Sequence, residues 1–383
     1  MILELLYYTV ERTRTHCDLN LESINYLPMN LRRRSILSLA ALLTSAALAD
    51  SNASEMRHAH GSDAESYEVI AHAPIGIMGD HAHPAGGAML ALRYKIMGMK
   101  NLYDGSREIS QSELLDPTGP YGYTIAPTSM TTQAVVASGM YAPSDFLTLS
   151  LMVPYMFKEM SMTTRMGTHF NTRSNGLGDI GLVALSRLVQ REQGHLQLNL
   201  GLSFPSGSID ETDDNPMSGG QPVQLPYPMQ LGSGTWDLLP AAVVGGDTGR
   251  FAWGFKGDGV IRMTTNDNGY RLGHAYELTG WGEWAWTRWL ATSFRLTWKQ
   301  QFEIDGRDHR LPPMAPQMTP LADPRNLGWK QFNGLIGFQL LGQKGWLAGQ
   351  RLAVEAGLPL WQSTSGPALG RSYMVTVGWL YAF

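Results

Sequence analysis

Strict alternation of apolar and polar residues is the feature that most constrains the fold of this chain. Residues 195–204 read HLQLNLGLSF, so apolar side chains share one face of an extended strand and polar or small residues share the other. A stretch of about ten residues at a period of two is long enough for one tilted strand to cross a bilayer. The pattern recurs at 251–263 and 290–304. The alternation therefore predicts membrane-spanning β-strands.

Further segments of similar length bring the expected total to about twelve strands. They lie at 88–100, 129–141, 146–160, 177–189, 235–245, 270–286, 329–341, 351–361 and 372–383. Short and long connections alternate between them, as in bacterial outer-membrane barrels. We therefore predict an all-β fold, an antiparallel transmembrane β-barrel over 88–383 with both termini on the periplasmic side.

The last segment adds an aromatic signature. Tyr373, Trp379, Tyr381 and Phe383 share one face with two valines, and an aromatic residue ends the chain. This end resembles the C-terminal signal that the barrel-assembly machinery of the outer membrane reads, and aromatic side chains favour the membrane interface. We expect the bacterial outer membrane as the location, with lipid and lipopolysaccharide as partners. A soluble β-sandwich, the alternative, does not explain so aromatic an outer face.

The start of the chain predicts export. Residues 29–49 combine three arginines, an apolar stretch and an Ala-Leu-Ala end, which is typical of a cleaved signal peptide. We interpret residues 1–28 as an overextension of the annotated start, and 50–87 as a histidine-containing periplasmic segment. Cys17 is the single cysteine, so the exported part holds no disulfide or cysteine-bound metal. No basic run follows Arg34, which argues against a nucleic-acid partner.

If the apolar faces meet lipid, the opposite faces line the lumen. The candidate lumen and solute-binding residues are Arg93, Lys95, Lys158, Lys256, Arg262, Glu277, Arg295 and Lys299. Charges of both signs are present, so no single-sign ring selects ions strongly. The alternative is that these residues pair across strands and fill the interior of a small barrel.

Methionine and histidine suggest a metal-handling role. His81 and His83 share one side of an extended segment beside Asp80, and several methionines point inward from two strands. Thioethers suit Cu(I), so copper is the metal expected if these residues bind one. The candidate ligands are His81, His83, Met97, Met99, Met152, Met156, Met160 and Met162. The alternatives are solvated histidines and a pliable apolar surface. No cofactor is required by the sequence.

The sequence does not favour an enzyme. His274 lies on an apolar face, as does the catalytic histidine of barrel phospholipases, but Tyr276 stands where those enzymes have serine. The exported part contains no G-x-S-x-G, H-E-x-x-H or phosphate-binding glycine loop. We therefore predict a non-catalytic protein.

Two local motifs carry a resemblance to a known family. Residues 176–180 read GLGDI and residues 202–207 read LSFPSG. This pair, with the aromatic C-terminus, resembles the outer-membrane family named for the meta-pathway of phenol degradation, over about residues 175 to 383. The resemblance implies a transporter barrel and says little about its substrate. Gly-Asp and Pro-x-Gly also mark strand boundaries.

The leading functional hypothesis is movement of a small solute through a narrow, partly plugged lumen. About twelve strands give a narrower pore than the 16 to 18 strands of porins. Two alternatives stay open: a barrel that binds or transports a soft metal, and a structural barrel with a filled interior.

Overall fold

The computed structural model describes residues 67–191, 194–216 and 218–383. Residues 1–66, with the predicted overextension, signal peptide and first part of the periplasmic segment, lie outside the described residues. The described strands are, in chain order, β1 (Ala88–Gly105), β2 (Arg107–Ile109), β3 (Ile125–Ser144), β4 (Leu147–Thr164), β5 (His169–Leu177), β6 (Ile180–Arg191), β7 (Gly194–Phe204), β8 (Thr212–Asp213), β9 (Val223–Gln224), β10 (Asp237–Thr248), β11 (Phe251–Arg262), β12 (Tyr270–Arg271), β13 (Ala275–Ala285), β14 (Leu290–Gln301), β15 (Asp305–Gly306), β16 (Trp329–Leu341) and β17 (Gln350–Ala382).

Within the described residues, helical structure is limited to short segments. They are α1 (Gln111–Leu115), α2 (Ala315–Met318) and the 3-10 turns Glu68–Ile70, Tyr227–Met229, Pro320–Ala322, Pro324–Leu327 and Gly345–Leu347. None of the described helices combines the length and the apolar character needed to cross a membrane.

The sheet closes on itself. Its ring runs β1, β3, β4, β6, β7, β10, β11, β13, β14, β16 and β17, and β17 pairs again with β1. The first part of β17, Arg351 to Thr364, is antiparallel to β16, and the part from Thr364 to Ala382 is antiparallel to β1. Strands β2 and β5 extend the ring at β1 and β4. This confirms the predicted all-β closed antiparallel barrel.

The two faces of the wall follow the alternation in the sequence. On β7, Leu200 is 59% exposed on the outside, whereas Gln197 and Asn199 are buried inside. The outer faces of the other strands are likewise apolar and exposed, at Phe255, Leu278 and Ile336 for example. In a bilayer these side chains meet lipid, so the exposed apolar surface is the stable arrangement.

Long and short connections separate to opposite ends of the barrel. The short-turn end holds the tight links after β3, β6, β10, β13 and β16. Ala88 and Phe383 also meet at this end, where each backbone N–H donates to the carbonyl of the other at 2.8 and 2.9 Å. The long-loop end holds the connections that contain β2, β5, β8, β9, β12 and β15.

One expected strand is divided in the structure, and another forms although its pattern is weak. The segment 270–286 divides into β12 and β13, with Gly273 between them against the carbonyl of Phe302. The segment 235–245 alternates poorly but still forms β10, which pairs with β7 and β11. Its ladder with β11 has no paired residues between Leu238 and Ala241, where Pro240 lacks the N–H that a ladder needs.

Candidate functional site

The interior of the barrel at the short-turn end is filled by residues 67–87, which we call the plug. The sequence predicts a periplasmic segment at 50–87, and the structure describes its residues 67–87 packed against the inner face of the wall. Its apolar residues Val69, Ile75 and Ile77 are buried to 4% exposure or less. A Cβ on Gly378 of β17 would lie 2.6 Å from Ile75 Cδ1, so a larger residue there would have to displace the Ile75 side chain. The plug therefore packs as part of the fold.

Wall side chains hold the plug by its backbone carbonyls. Arg351 Nη2 donates to Glu68 O at 2.7 Å, and Lys256 Nζ donates to Met78 O at 2.9 Å. Side-chain amides of Gln197 and Asn199 donate to Gly79 O at 3.0 and 2.8 Å. Because the plug has almost no regular secondary structure, its carbonyls need such donors once they are buried. The polar lumen of the wall supplies them.

An ion-pair network lies beside the plug at Gly76. Arg295 makes two parallel contacts with Glu355, Nε to Oε2 at 3.0 Å and Nη2 to Oε1 at 2.5 Å. Glu277 bridges Arg295 Nη1 at 3.5 Å and Lys299 Nζ at 2.7 Å. A Cβ on Gly76 would lie 2.3 Å from Glu355 Oε1, so the glycine lets the backbone approach this pair. Such buried charges need partners, since an unpaired buried charge is costly.

The remaining candidate lumen residues bind the plug, a long loop or the wall itself. Arg93 Nε donates to Ile75 O at 3.3 Å, and Lys95 Nζ lies 3.9 Å from Met78 Sδ. Arg262 pairs with Asp237. Lys158 Nζ donates to the carbonyls of Pro228 and Gln230, at 2.9 and 2.5 Å, in a long loop that folds into the barrel. All eight residues thus line the interior. Arg93, Lys95, Lys256 and Lys158 bind the plug or a long loop, whereas the other four pair within the wall, and only Lys158 and Arg262 of the eight line the cavity described next.

A cavity of about 490 Å³ lies on the long-loop side of the plug. Its apolar wall is rich in thioethers, from Met97, Met99, Met130, Met156 and Met160. At another part of its lining, the guanidinium of Arg371 lies 3.6 Å over the ring of Trp329 and donates to Gln331 Oε1 at 2.5 Å. Lys158, Asp179, Arg262 and Lys330 also line it, so the cavity combines a pliable apolar surface with charged groups and the Arg371–Trp329 pair.

Most of the predicted methionine ligands belong to this region. Met160 and Met162 are buried in an apolar cluster that also holds Met130, Met229 and Leu321, with Met99 and Met318 packed against it. Met229 and Met318 come from long loops, which strand periodicity could not assign to the interior. Met152 lies lower on β4, near Gly181. The methionines are thus chiefly core and cavity lining.

The predicted histidine ligands lie in the plug, away from that cavity. His83 N donates to Thr148 Oγ1 at 2.9 Å, at the start of β4. Met156 is eight residues further along the strand, a separation of roughly 26 Å at ~3.3 Å per residue. No histidine lines the cavity. The structure therefore does not bring the histidines and the methionines into one site. Within the plug, sequence reasoning missed His72, which lies beside His81.

The two motifs that carry the family resemblance meet in space. Asp179 Oδ1 accepts from Gly207 N at 3.0 Å, and its Oδ2 accepts from the N–H and the hydroxyl of Ser233, both at 2.7 Å. Ser206 Oγ donates to Gly178 O at 3.0 Å and accepts from Ile180 N at 2.8 Å. The motifs therefore tie the break between β5 and β6 to the loop that enters the barrel.

Comparisons with known proteins show the fold. No family model and no curated protein sequence matches the chain. The crystal structure of an outer membrane channel from Pseudomonas putida F1 matches with a TM-score of 0.55 and 16% identity, over 79% of this chain and 98% of that chain. A FadL homologue of Pseudomonas aeruginosa matches with a TM-score of 0.37 and 9% identity, over 78% and 90%. The transport unit of the autotransporter AIDA-I from Escherichia coli gives 0.43 and 12%, over 80% and 93%. The first of these shows that the chain has the fold of an outer-membrane β-barrel.

The ion-pair network gives a prediction about stability. In Glu355→Gln, Arg295 keeps its charge but loses its two-point partner, so we expect the free energy of unfolding to fall by about 3 kcal/mol. Denaturant unfolding of the refolded barrel in detergent measures it. The matched control is Glu159→Gln, whose pair with Arg173 is exposed and contributes less than about 1 kcal/mol. Equal effects of the two substitutions would contradict the structural role of the buried pair.

Proposed function

We propose that the protein is an outer-membrane channel or transporter for a small solute. The observation that carries the proposal is the cavity of about 490 Å³ inside a closed barrel, between long loops and the plug. An interior filled only for stability would be packed at that level, because protein cores leave few voids larger than a water molecule. The cavity can instead hold a small molecule during its passage.

The lining of the cavity, with both thioethers and charged groups, favours a small solute that has an apolar part, such as an aromatic molecule. Five methionines supply a surface that adapts to different shapes. Arg371 and Trp329 form a corner that suits an aromatic ring or a polar end group. Cu(I) is the second candidate solute, because thioethers are its preferred ligands.

Passage needs a change in the plug. The described plug is held mainly by hydrogen bonds to its backbone and by a few apolar side chains. Water can replace hydrogen bonds of this kind at modest net cost, so the plug can be displaced without unfolding the wall. We therefore propose that the plug is the gate of the channel.

Deletion of residues 67–83 tests this function. We expect the conductance in planar bilayers to rise several-fold, because the wall without its plug leaves an open lumen. Uptake of a small aromatic solute, of Cu(I) and of a sugar into proteoliposomes then compares the solute classes. Gel mobility with and without heating controls for folding. A folded deletion variant that neither conducts nor takes up solute would show a structural barrel with a filled interior.

We also propose twelve spanning strands with both termini in the periplasm. In a closed ring whose neighbours are all antiparallel the number of strands is even, and the described ring has eleven elements. The 33 residues of β17 pair with β16 and with β1 through different halves, so we interpret β17 as two strands joined near residues 362–371. The short-turn end, with Ala88 and Phe383, then faces the periplasm, where the assembly machinery reads Phe383.

Cysteine labelling tests the orientation. In intact cells, a membrane-impermeant maleimide is expected to label Met166→Cys, because Met166 is 94% exposed in the turn after β4 at the long-loop end. Asp145→Cys, in a short turn, is expected to react only after the outer membrane is made permeable. The reverse pattern would place the long loops in the periplasm and contradict the proposed topology.

We place the protein, as a proposal, in the outer-membrane family named for the meta-pathway of phenol degradation. The contact between the two motifs supports this assignment. Asp179 accepts hydrogen bonds from the backbone N–H of Gly207 and from the backbone N–H and hydroxyl of Ser233. These contacts give the motif residues a shared role in fixing the loop that borders the cavity. Aromatic solutes agree with this assignment.

A further inference from the structure

A cluster of metal-ligand side chains lies inside the plug. One ring nitrogen of His72, one of His81 and a carboxylate oxygen of Asp80 all lie within 4.8 Å of one another. The rings of His72 and His81 meet edge to face, with centroids 4.1 Å apart. Ligand atoms around a four-coordinate zinc ion are roughly 3.3 to 3.6 Å apart, given metal–ligand distances of about 2.0 to 2.2 Å. Movement of about 1 Å by side chains would complete the three-ligand arrangement.

Two ring nitrogens of this cluster have no hydrogen-bond partner among the residues that the structure describes. His72 Nδ1 and His81 Nε2 are inaccessible to solvent and make no hydrogen bond. Buried polar atoms are normally hydrogen-bonded, because desolvation without a partner costs about 1 to 3 kcal/mol. Two such atoms on adjacent imidazoles point to a ligand that accepts lone pairs. A metal ion is the ligand that satisfies both nitrogens at once.

Hydrogen bonds hold the Asp80 carboxylate where it can orient the His81 ring. Its Oδ2 accepts from the backbone N–H of Ala73 at 2.8 Å and lies 3.0 Å from His81 Nδ1. A carboxylate bonded to the distal nitrogen of a metal-bound histidine is the usual supporting arrangement, since it orients the ring and raises its basicity. The carboxylate can also ligate the ion directly.

Other charged and titratable groups face the cluster from the plug and wall. They are His83, whose ring centroid is 4.8 Å from that of His81, His195 on β7, which lies near Asp80, and the charged groups Arg93, Arg351 and Glu283. Arg351 is engaged with the carbonyls of the plug at Glu68 and Val69. His83 and His195 are therefore the nearest additional donors for a fourth position.

We propose that His72, Asp80 and His81 form a binding site for a divalent transition-metal ion, Zn²⁺ or Cu²⁺. Imidazole and carboxylate donors suit these ions, whereas Cu(I) prefers the thioethers that line the separate cavity. The ion joins two parts of the plug that are nine positions apart in sequence. Bound metal thus stabilises the folded plug, and its loss makes the plug easier to displace. This site is independent of which solute passes through the barrel.

Metal binding to the purified, tag-free mature protein tests the proposal. We expect competition against a chromophoric chelator to give one high-affinity Zn²⁺ per barrel. His72→Gln and His81→Gln should each weaken binding at least ~10-fold, as expected when a ligand is lost. His169→Gln and His309→Gln are matched controls, because both histidines are exposed at the long-loop end and should leave the affinity unchanged. His58→Gln with His60→Gln controls for histidines outside the described residues.

Cu²⁺ electron paramagnetic resonance on the wild-type protein gives a readout that needs no variant. Nitrogen superhyperfine splitting from two imidazoles supports the site, and a spectrum without nitrogen coupling overturns it. Wild-type protein that binds no Zn²⁺, or that binds it equally after His72→Gln and His81→Gln, also overturns it. Because these measurements involve no transport, their failure leaves the proposed channel function standing, and a failed conductance assay leaves the metal site standing.

Discussion

The hydrogen bonds between β1 and β17 are the contacts on which the rest of the molecule depends. They join the first and last strands from Met89–Ala382 to Gly105–Thr364 and leave the ring without an edge. A bilayer offers no water to satisfy an open strand, so a spanning sheet must close. Closure in turn fixes which face of every strand meets lipid and which meets the lumen. The aromatic end of β17 and the backbone hydrogen bonds between Ala88, at the start of β1, and Phe383 complete it.

Closure also creates the second constraint, a narrow interior that must keep its charges paired. The wall brings Arg295, Glu277 and Lys299 inward, and the network with Glu355 balances them. Other basic side chains of the wall, Arg351 and Lys256, donate hydrogen bonds to backbone carbonyls of the plug. The same polar lumen therefore stabilises the wall and binds the plug. The region beyond the plug, lined in part by methionines, contains a cavity of about 490 Å³.

Most of the wall could be predicted from the sequence, because a period of two reports directly on which face is buried. The segment 195–204 corresponds to β7 almost residue for residue. The inward direction of Arg93 and Lys256 followed from the same alternation. The interior could not be predicted in this way. Residues 67–87 have no periodic pattern, and what places them inside is a set of donors on distant strands, such as Asn199 and Arg351.

The candidate site shows the same limit. His81 and Asp80 are neighbours in sequence and were recognisable as potential ligands, but His72 becomes their neighbour only when the plug folds back. The methionines were read correctly as inward on β1 and β4. Their partners Met229 and Met318 come from loops, where no period of two indicates which side chains point inward. The sequence pattern thus identified histidines and methionines as candidate ligands. The fold shows that the methionines line a cavity and that the histidines lie in the plug.

Hydrogen–deuterium exchange of the mature protein in lipid nanodiscs tests the central claim, that residues 67–87 are folded inside the barrel. The amides of Ile70, Ala73, Ile77 and His83 all donate hydrogen bonds in the structure. Their exchange should therefore be at least ~100-fold slower than that of an unstructured peptide. Peptides from the exposed loop at 218–222 provide the fast reference. Exchange of 67–87 as fast as that reference would contradict a plug in the lumen.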